Sequence, residues 1–309
     1  MAEPIARDVE GTAVEGLTGL IDAGTVVERL STGAIWSEGP VWLPELRAVR
    51  WSDIWNNRIL QYHADDGRTI VYSDAAEFTN GRTLDRQGRV VQCSHGRRRV
   101  ERDHDGEVTP IVEQWNGLPF NSPNDVIVAR DGSLWFTDPA YGITIPEEGH
   151  PGEREYRDQY VFRHDESTGE TRPVIMDVEA PNGLAFSPDE KIIYVADSSG
   201  AGTGIHPGVG NAHIRAYDLV DDRCKNGRTV IAIDDKVPDG LRVDTAGNLW
   251  TSTGYGVGVY DPAGRQLGAI RLPETAANLC FGGADGTDLY ITATTSLYRI
   301  ATRARDAAV

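Results

Sequence analysis

The sequence predicts an all-β protein, a six-bladed β-propeller of four-stranded antiparallel blades. Three observations carry this reading. Six segments share one opening, a small polar or acidic residue usually followed by Gly and then an apolar stretch: Glu38-Gly39-Pro40-Val41-Trp42, Asn80-Gly81-Arg82-Thr83-Leu84, Asn124-Asp125-Val126-Ile127-Val128, Asn182-Gly183-Leu184-Ala185-Phe186, Asp239-Gly240-Leu241-Arg242-Val243 and Asn278-Leu279-Cys280-Phe281-Gly282. Their starts lie 42, 44, 58, 57 and 39 residues apart, around the 40–50 residues of a four-stranded blade. No long segment carries the helical apolar period.

The interior of each unit supplies the strands. Asp85-Arg86-Gln87-Gly88 leads into Arg89–Cys93, Arg130-Asp131-Gly132 into Ser133–Thr137, and Asp244–Gly247 into Asn248–Ser252. Gly supplies the positive φ of a tight hairpin, and the β-branched and aromatic residues that follow suit a pleated strand. Outer pairs follow, Arg58–Tyr62 with Thr69–Ser73 and Val259-Tyr260 with Leu267–Ile270. The last unit looks one strand short, and Gly24–Leu30 is placed to supply it, tying the chain ends together and removing an exposed edge. The propeller domain is set at residues 24–303, with an N-terminal extension 1–23 and a C-terminal tail 304–309. Two insertions, Gly142–Arg157 and Gly200–Asn211, read as loops.

Composition narrows the function. Thirty Lys and Arg against 47 Asp and Glu give a formal charge of −17, and only Lys191, Lys225 and Lys236 are lysines. Such a chain lacks the basic surplus that phosphate binding requires, so neither nucleic acid nor an anionic membrane is an expected partner. No apolar run approaches the ~20 residues of a membrane span, and residues 1–8 carry charges without an apolar stretch, so no signal peptide is expected and a cytoplasmic location is the default. Cys93, Cys224 and Cys280 fit buried free thiols rather than a disulfide or metal knuckle. There is no nucleophile elbow, phosphate loop or H-E-x-x-H.

In a propeller the first strand of each blade lines the central channel. Glu38, Asn80, Asn124, Asn182, Asp239 and Asn278 should therefore converge at one mouth. Two acids and four amides form a hard oxygen set without His or Cys, which suits Ca²⁺ or another hard divalent ion. Turn capping is the alternative for any single Asn-Gly or Asp-Gly pair. The ends of the second strands, Asp53, His95, Asp138, Ser198 and Gly254, should lie on the same face. His95 is a candidate substrate contact or proton carrier there, and Trp36, Tyr141 and Tyr255 are candidate pocket walls.

Ser37–Trp42, Asn121–Val126, Leu134–Pro139, Pro181–Ser187 and Pro238–Gly240 together resemble the gluconolactonase, senescence marker protein and regucalcin family, from about Trp36 to Ile300. The resemblance implies a six-bladed propeller with one divalent metal at the channel mouth and hydrolysis of sugar lactones. It implies Glu38, Asn182 and Asp239 as metal ligands, Asn124 beside the metal, and Asp239 as general base. Ca²⁺ is the first expectation, with Zn²⁺, Mn²⁺ or Mg²⁺ as alternatives. Asn124, Asn80, His95, Asp138 and Tyr141 are the candidate substrate contacts. Ser122 stands where animal members carry an Arg that helps hold the sugar. Two other activities share such a mouth: phosphotriester hydrolysis of the diisopropyl fluorophosphatase kind, with direct carboxylate attack on phosphorus, and metal binding without turnover.

Overall fold

The computed structural model describes residues 6–204, 206 and 210–308. Six antiparallel sheets follow one another in a ring. Blade 1 is Ser37–Leu43, Ala48–Asp53, Arg58–His63 and Thr69–Ser73; blade 2 is Thr79–Leu84, Val90–Ser94, Arg99–His104 and Glu107–Val112. Blade 3 is Val126–Val128, Leu134–Asp138, Tyr160–Asp165 and Glu170–Ile175; blade 4 is Pro181–Phe186, Ile192–Asp197, His213–Val220 and Arg223–Ala232. Blade 5 is Leu241–Val243, Leu249–Thr253, Gly256–Tyr260 and Gln266–Arg271; blade 6 is Ala276–Gly282, Asp288–Ala293 and Ser296–Ala301. Glu28–Thr32 completes blade 6 by pairing with Ser296–Ala301, so the first and last parts of the propeller share one sheet, as the sequence suggests. Residues 6–23 are not all outside the sheets: Ala13–Glu15 adds a fifth strand to blade 5. In the tail, Asp306 bridges Asp244.

Three of the six blade junctions share one aromatic contact. Trp135, Tyr194, Trp250 and Tyr290 each stand three residues before the end of a second strand and are 0–3% exposed. Trp135 packs on Phe186 of the next blade at 5.4 Å between ring centroids, Trp250 on Phe281 at 5.5 Å, and Tyr290 on Trp42 of blade 1 at 5.4 Å. The last pair closes the ring. Aromatic pairs of this kind add to the area they bury.

The closing strand is held by apolar burial and by charge. Leu30 is buried with Val49, Trp51, Leu60 and Leu297. Glu28 accepts hydrogen bonds from the Arg299 guanidinium. Leu30→Ala is expected to lower the unfolding free energy by about 2–4 kcal/mol, read from urea unfolding. Met176→Ala, at a side chain 62% exposed, is expected to change it by less than ~0.5 kcal/mol. Equal effects would mean that Glu28–Thr32 does not hold the ring shut.

One sequence expectation needs correction here. Cys93 and Cys280 are buried free thiols, but Cys224 is only half-buried. Arg97-Arg98-Arg99 bonds to protein partners: Arg97 and Arg99 pair with Glu101, and Arg98 Nε donates to the Phe120 carbonyl.

Candidate active site

The first strands open irregularly, and this irregularity makes the site. Pairing slips between Glu38 and Val41, between Thr79 and Arg82, between Pro181 and Leu184, and between Ala276 and Asn278. A bulge releases residues from the ladder and re-aims their side chains. In two of these slips the freed residues include Asn80 or Asn182, and Glu38 is the last paired residue before the slip in blade 1.

The Gly after four of the opening residues lets neighbouring blades touch. A Cβ on Gly39 would stand 2.3 Å from the Asn80 carbonyl oxygen, and one on Gly183 2.2 Å from that of Asp239. Three of the junctions also carry backbone hydrogen bonds: Gly81 N–H donates to Asn124 O at 2.8 Å, Gly183 N–H to Asp239 O at 3.0 Å, and Gly240 N–H to Ala277 O at 2.8 Å. Blades 2 and 3, 4 and 5, and 5 and 6 are thus stitched at their openings, so displacing one of these blades displaces its neighbour's site residue. Gly183→Ala is expected to cost at least ~10-fold in kcat/KM by pushing Asp239, since misplacement of about 1 Å can cost ~100-fold. An unchanged kcat/KM would show that the stitching does not set the position of Asp239.

The stitching also corrects the sixth position. Gly240 donates to Ala277, not Asn278, so Ala277 is the counterpart of Asn124 and Asp239. Asn278 matches Asp125: each accepts the N–H of the next residue, Leu279 or Val126. The amide of Asn278 thus stands one place further along its strand than the opening residues of the other blades.

Glu38, Asn80, Asn124, Asn182 and Asp239 line one cavity of about 530 Å³, with Trp36, Tyr141, Ile145 and Val237 as its apolar wall. The Glu38 and Asp239 carboxyls are close enough to perturb each other, and Asn182 neighbours Asp239. Burial, then the neighbouring Asp239 charge, pushes the Glu38 carboxyl well above its ordinary range; burial likewise raises Asp239. Two carboxylates this close repel unless a proton or cation intervenes. Among the described residues no three His, Cys, Asp or Glu side chains converge on a point. A cation here would therefore have two negative charges and neutral amide oxygens, a set that fits a hard divalent ion.

The second-strand ends divide. Ser198 lines the cavity, and its hydroxyl donates to Pro238 O at 2.6 Å. Trp36 and Tyr141 are walls, but Tyr255 is elsewhere, bonded to Gln266. Asp138 is not part of the cavity wall. Its carboxylate is wholly buried and accepts the N–H groups of Asn121 and Ser122 at 2.8 and 2.9 Å and the Tyr156 hydroxyl. Asp53 does the same for Ile35 and Trp36, and Asp197 for Glu179 and Ala180. These three acids clamp the loops that enter the blades, because a buried carboxylate must find donors. His95 stands behind the wall, close to the amides of Asn80 and Asn124. Ser122 is also structural: it accepts the Gly142 N–H and donates to Pro139 O.

One cavity residue escaped the sequence reading. Glu148, from the insertion 142–157, lines the cavity and bonds to the Trp55 side chain, and burial raises its carboxyl to about 7. The insertion begins with the short helix Tyr141–Thr144 and thereby forms one side of the site. Of the other insertion, Gly200, Ala201 and Thr203 line the cavity; residues 205 and 207–209 lie outside the described part.

Fold and site together define a six-bladed propeller with an acidic, oxygen-lined pocket at one channel mouth. Residues 36–295 match the family described as SMP-30/gluconolactonase/LRE-like region, and the chain belongs to that family. It is 28% identical to a gluconolactonase of Zymomonas mobilis, over 93% of this chain and 84% of that one. It is 27% identical to the pentonolactonase XacC of Haloferax volcanii, over 87% and 84%. A solved gluconolactonase from Xanthomonas campestris superposes with a TM-score of 0.88 at 37% identity, covering 98% of each chain. No helix among the described residues is long and apolar enough to cross a membrane.

Proposed function

We propose that this chain is a metal-dependent lactonase that opens a sugar lactone to its hydroxy acid. The carrying observation is the pair Glu38 and Asp239, buried together with Asn182 and Asn124 at one cavity. Gluconolactonase and pentonolactonase relatives spanning most of the chain support the substrate class. Glu38, Asn182 and Asp239 are the ligands, with Asn124 beside them and Ca²⁺ the first candidate ion. The bound ion supplies Lewis-acid polarisation of the lactone carbonyl.

The protein supplies the rest. Asp239 accepts a proton from the attacking water. The water oxygen bonds to the carbonyl carbon, the ring C–O bond breaks, and the ring oxygen leaves as a hydroxyl carrying the proton that Asp239 returns. Trp36, Tyr141, Ile145 and Val237 enclose the ring and limit bulk water. The hydroxyl groups of a sugar lactone meet Asn80, Ser198 and Glu148.

The test follows proton release from glucono-1,5-lactone and from five-membered sugar lactones, with the spontaneous rate subtracted. Metal-stripped protein should be inactive, and restoring a divalent ion should restore turnover. Full activity after stripping, or no turnover with any ion and lactone, would overturn the proposal.

A further inference from the structure

His95 is wholly buried and lies just beyond the second strand of blade 2. It contacts no solvent, yet three polar groups from three parts of the chain surround it. Its Nδ1 is 3.0 Å from the backbone oxygen of Glu148. Its Nε2 is 3.5 Å from Asn80 Nδ2 and 3.4 Å from Asn124 Nδ2.

These neighbours leave one assignment of protons. A backbone oxygen only accepts, so Nδ1 carries the hydrogen. Two amide nitrogens face Nε2 and both carry hydrogens, so Nε2 offers its lone pair and the ring is neutral. A neutral ring protonated at Nδ1 has a bare Nε2, which accepts. Both amides must then offer their N–H groups to that single lone pair, and a shared acceptor accounts for the two long separations. An amide that turns its nitrogen to His95 turns its oxygen the other way, and both side chains line the cavity.

We infer that His95 is a positioning residue that holds Asn80 and Asn124 with their oxygens facing the cavity, so that both act as acceptors toward the ion and the substrate. The inference rests on the proposed lactonase site and adds to it the rule by which two uncharged side chains of that site are oriented. A ring with the other tautomer would present N–H toward the amides and reverse both.

Two substitutions separate this role from simple loop anchoring. H95N keeps a donor near the Nδ1 position and removes the distal acceptor. H95Q keeps an acceptor near the Nε2 position and removes the donor to Glu148. Ca²⁺ and Mn²⁺ affinities of metal-stripped protein are measured by calorimetry, with KM and kcat for glucono-1,5-lactone alongside. H95N should weaken metal binding by ~10–100-fold, the usual cost of losing a residue that orients ligands, while H95Q stays within about threefold. The reverse order, or H95N within twofold of wild type, would overturn the inference while an active, metal-binding wild type left the lactonase reading intact. Wild type that binds no divalent ion would instead defeat the lactonase reading. Proton–nitrogen correlation NMR of the wild-type imidazole needs no variant: hydrogen on Nδ1 and none on Nε2 is expected, and hydrogen on Nε2 would overturn the inference.

Discussion

Asp239→Asn is expected to lower kcat/KM for a sugar lactone by at least ~1,000-fold. The residue has two duties, and the amide fails at both. It cannot take a proton from water near neutral pH, and general base catalysis is worth roughly 100–10,000-fold. It also removes one of the two charges that would hold the ion. The shape of the side chain survives, and the backbone of Asp239 remains stitched to Gly183. The fold should therefore stand, with an unfolding midpoint within a few degrees of wild type. Initial rates at saturating metal make the comparison: activity within tenfold of wild type would remove Asp239 from the chemistry.

Glu38→Gln is expected to change stability in opposite directions with and without metal. Without metal, Glu38 and Asp239 sit together in a site that burial already makes costly for charge. At an effective dielectric of about 20, two unit charges 4 Å apart repel by roughly 4 kcal/mol. The neutral amide relieves that repulsion and still accepts the Gly39 N–H that Glu38 Oε2 accepts at 3.0 Å. Metal-stripped E38Q should thus unfold at a higher temperature than metal-stripped wild type. With metal at 100 times its wild-type Kd, wild type gains about 2.7 kcal/mol. E38Q, short of one ligand charge, should bind at least ~100-fold more weakly and gain almost nothing. Thermal unfolding with chelator and with each divalent ion reads both signs. Equal stabilisation of both proteins by metal would show that Glu38 is no ligand.

Most of the fold was legible in the sequence because the protein repeats itself. The opening recurs in six units and the Asp-Gly turn and second-strand aromatic in several, and such recurrence outweighs any single ambiguous strand. Even the closing strand could be found, since the sixth unit lacked one. The site was legible where it obeyed the repeat, at Glu38, Asn80, Asn124, Asn182 and Asp239. It was misread where the repeat broke. In blade 6 the opening position is held by Ala277, and the amide of Asn278 stands one residue beyond it. Asp138 has the right position in its strand, but its carboxylate turns to the loop N–H groups of Asn121 and Ser122 instead of the cavity. Glu148 lies in an insertion with no counterpart in other blades. Periodicity therefore gave no sign of it, and only the Glu147-Glu148 acid pair marked the segment.

The central claim is that side chains from blades 1, 4 and 5 meet around one divalent cation. Anomalous diffraction from crystals soaked in Mn²⁺ tests it most directly. The account predicts one strong peak within about 2.5 Å of oxygens from Glu38, Asn182 and Asp239. A cavity without a peak at saturating Mn²⁺, or a peak held by other residues, would contradict it.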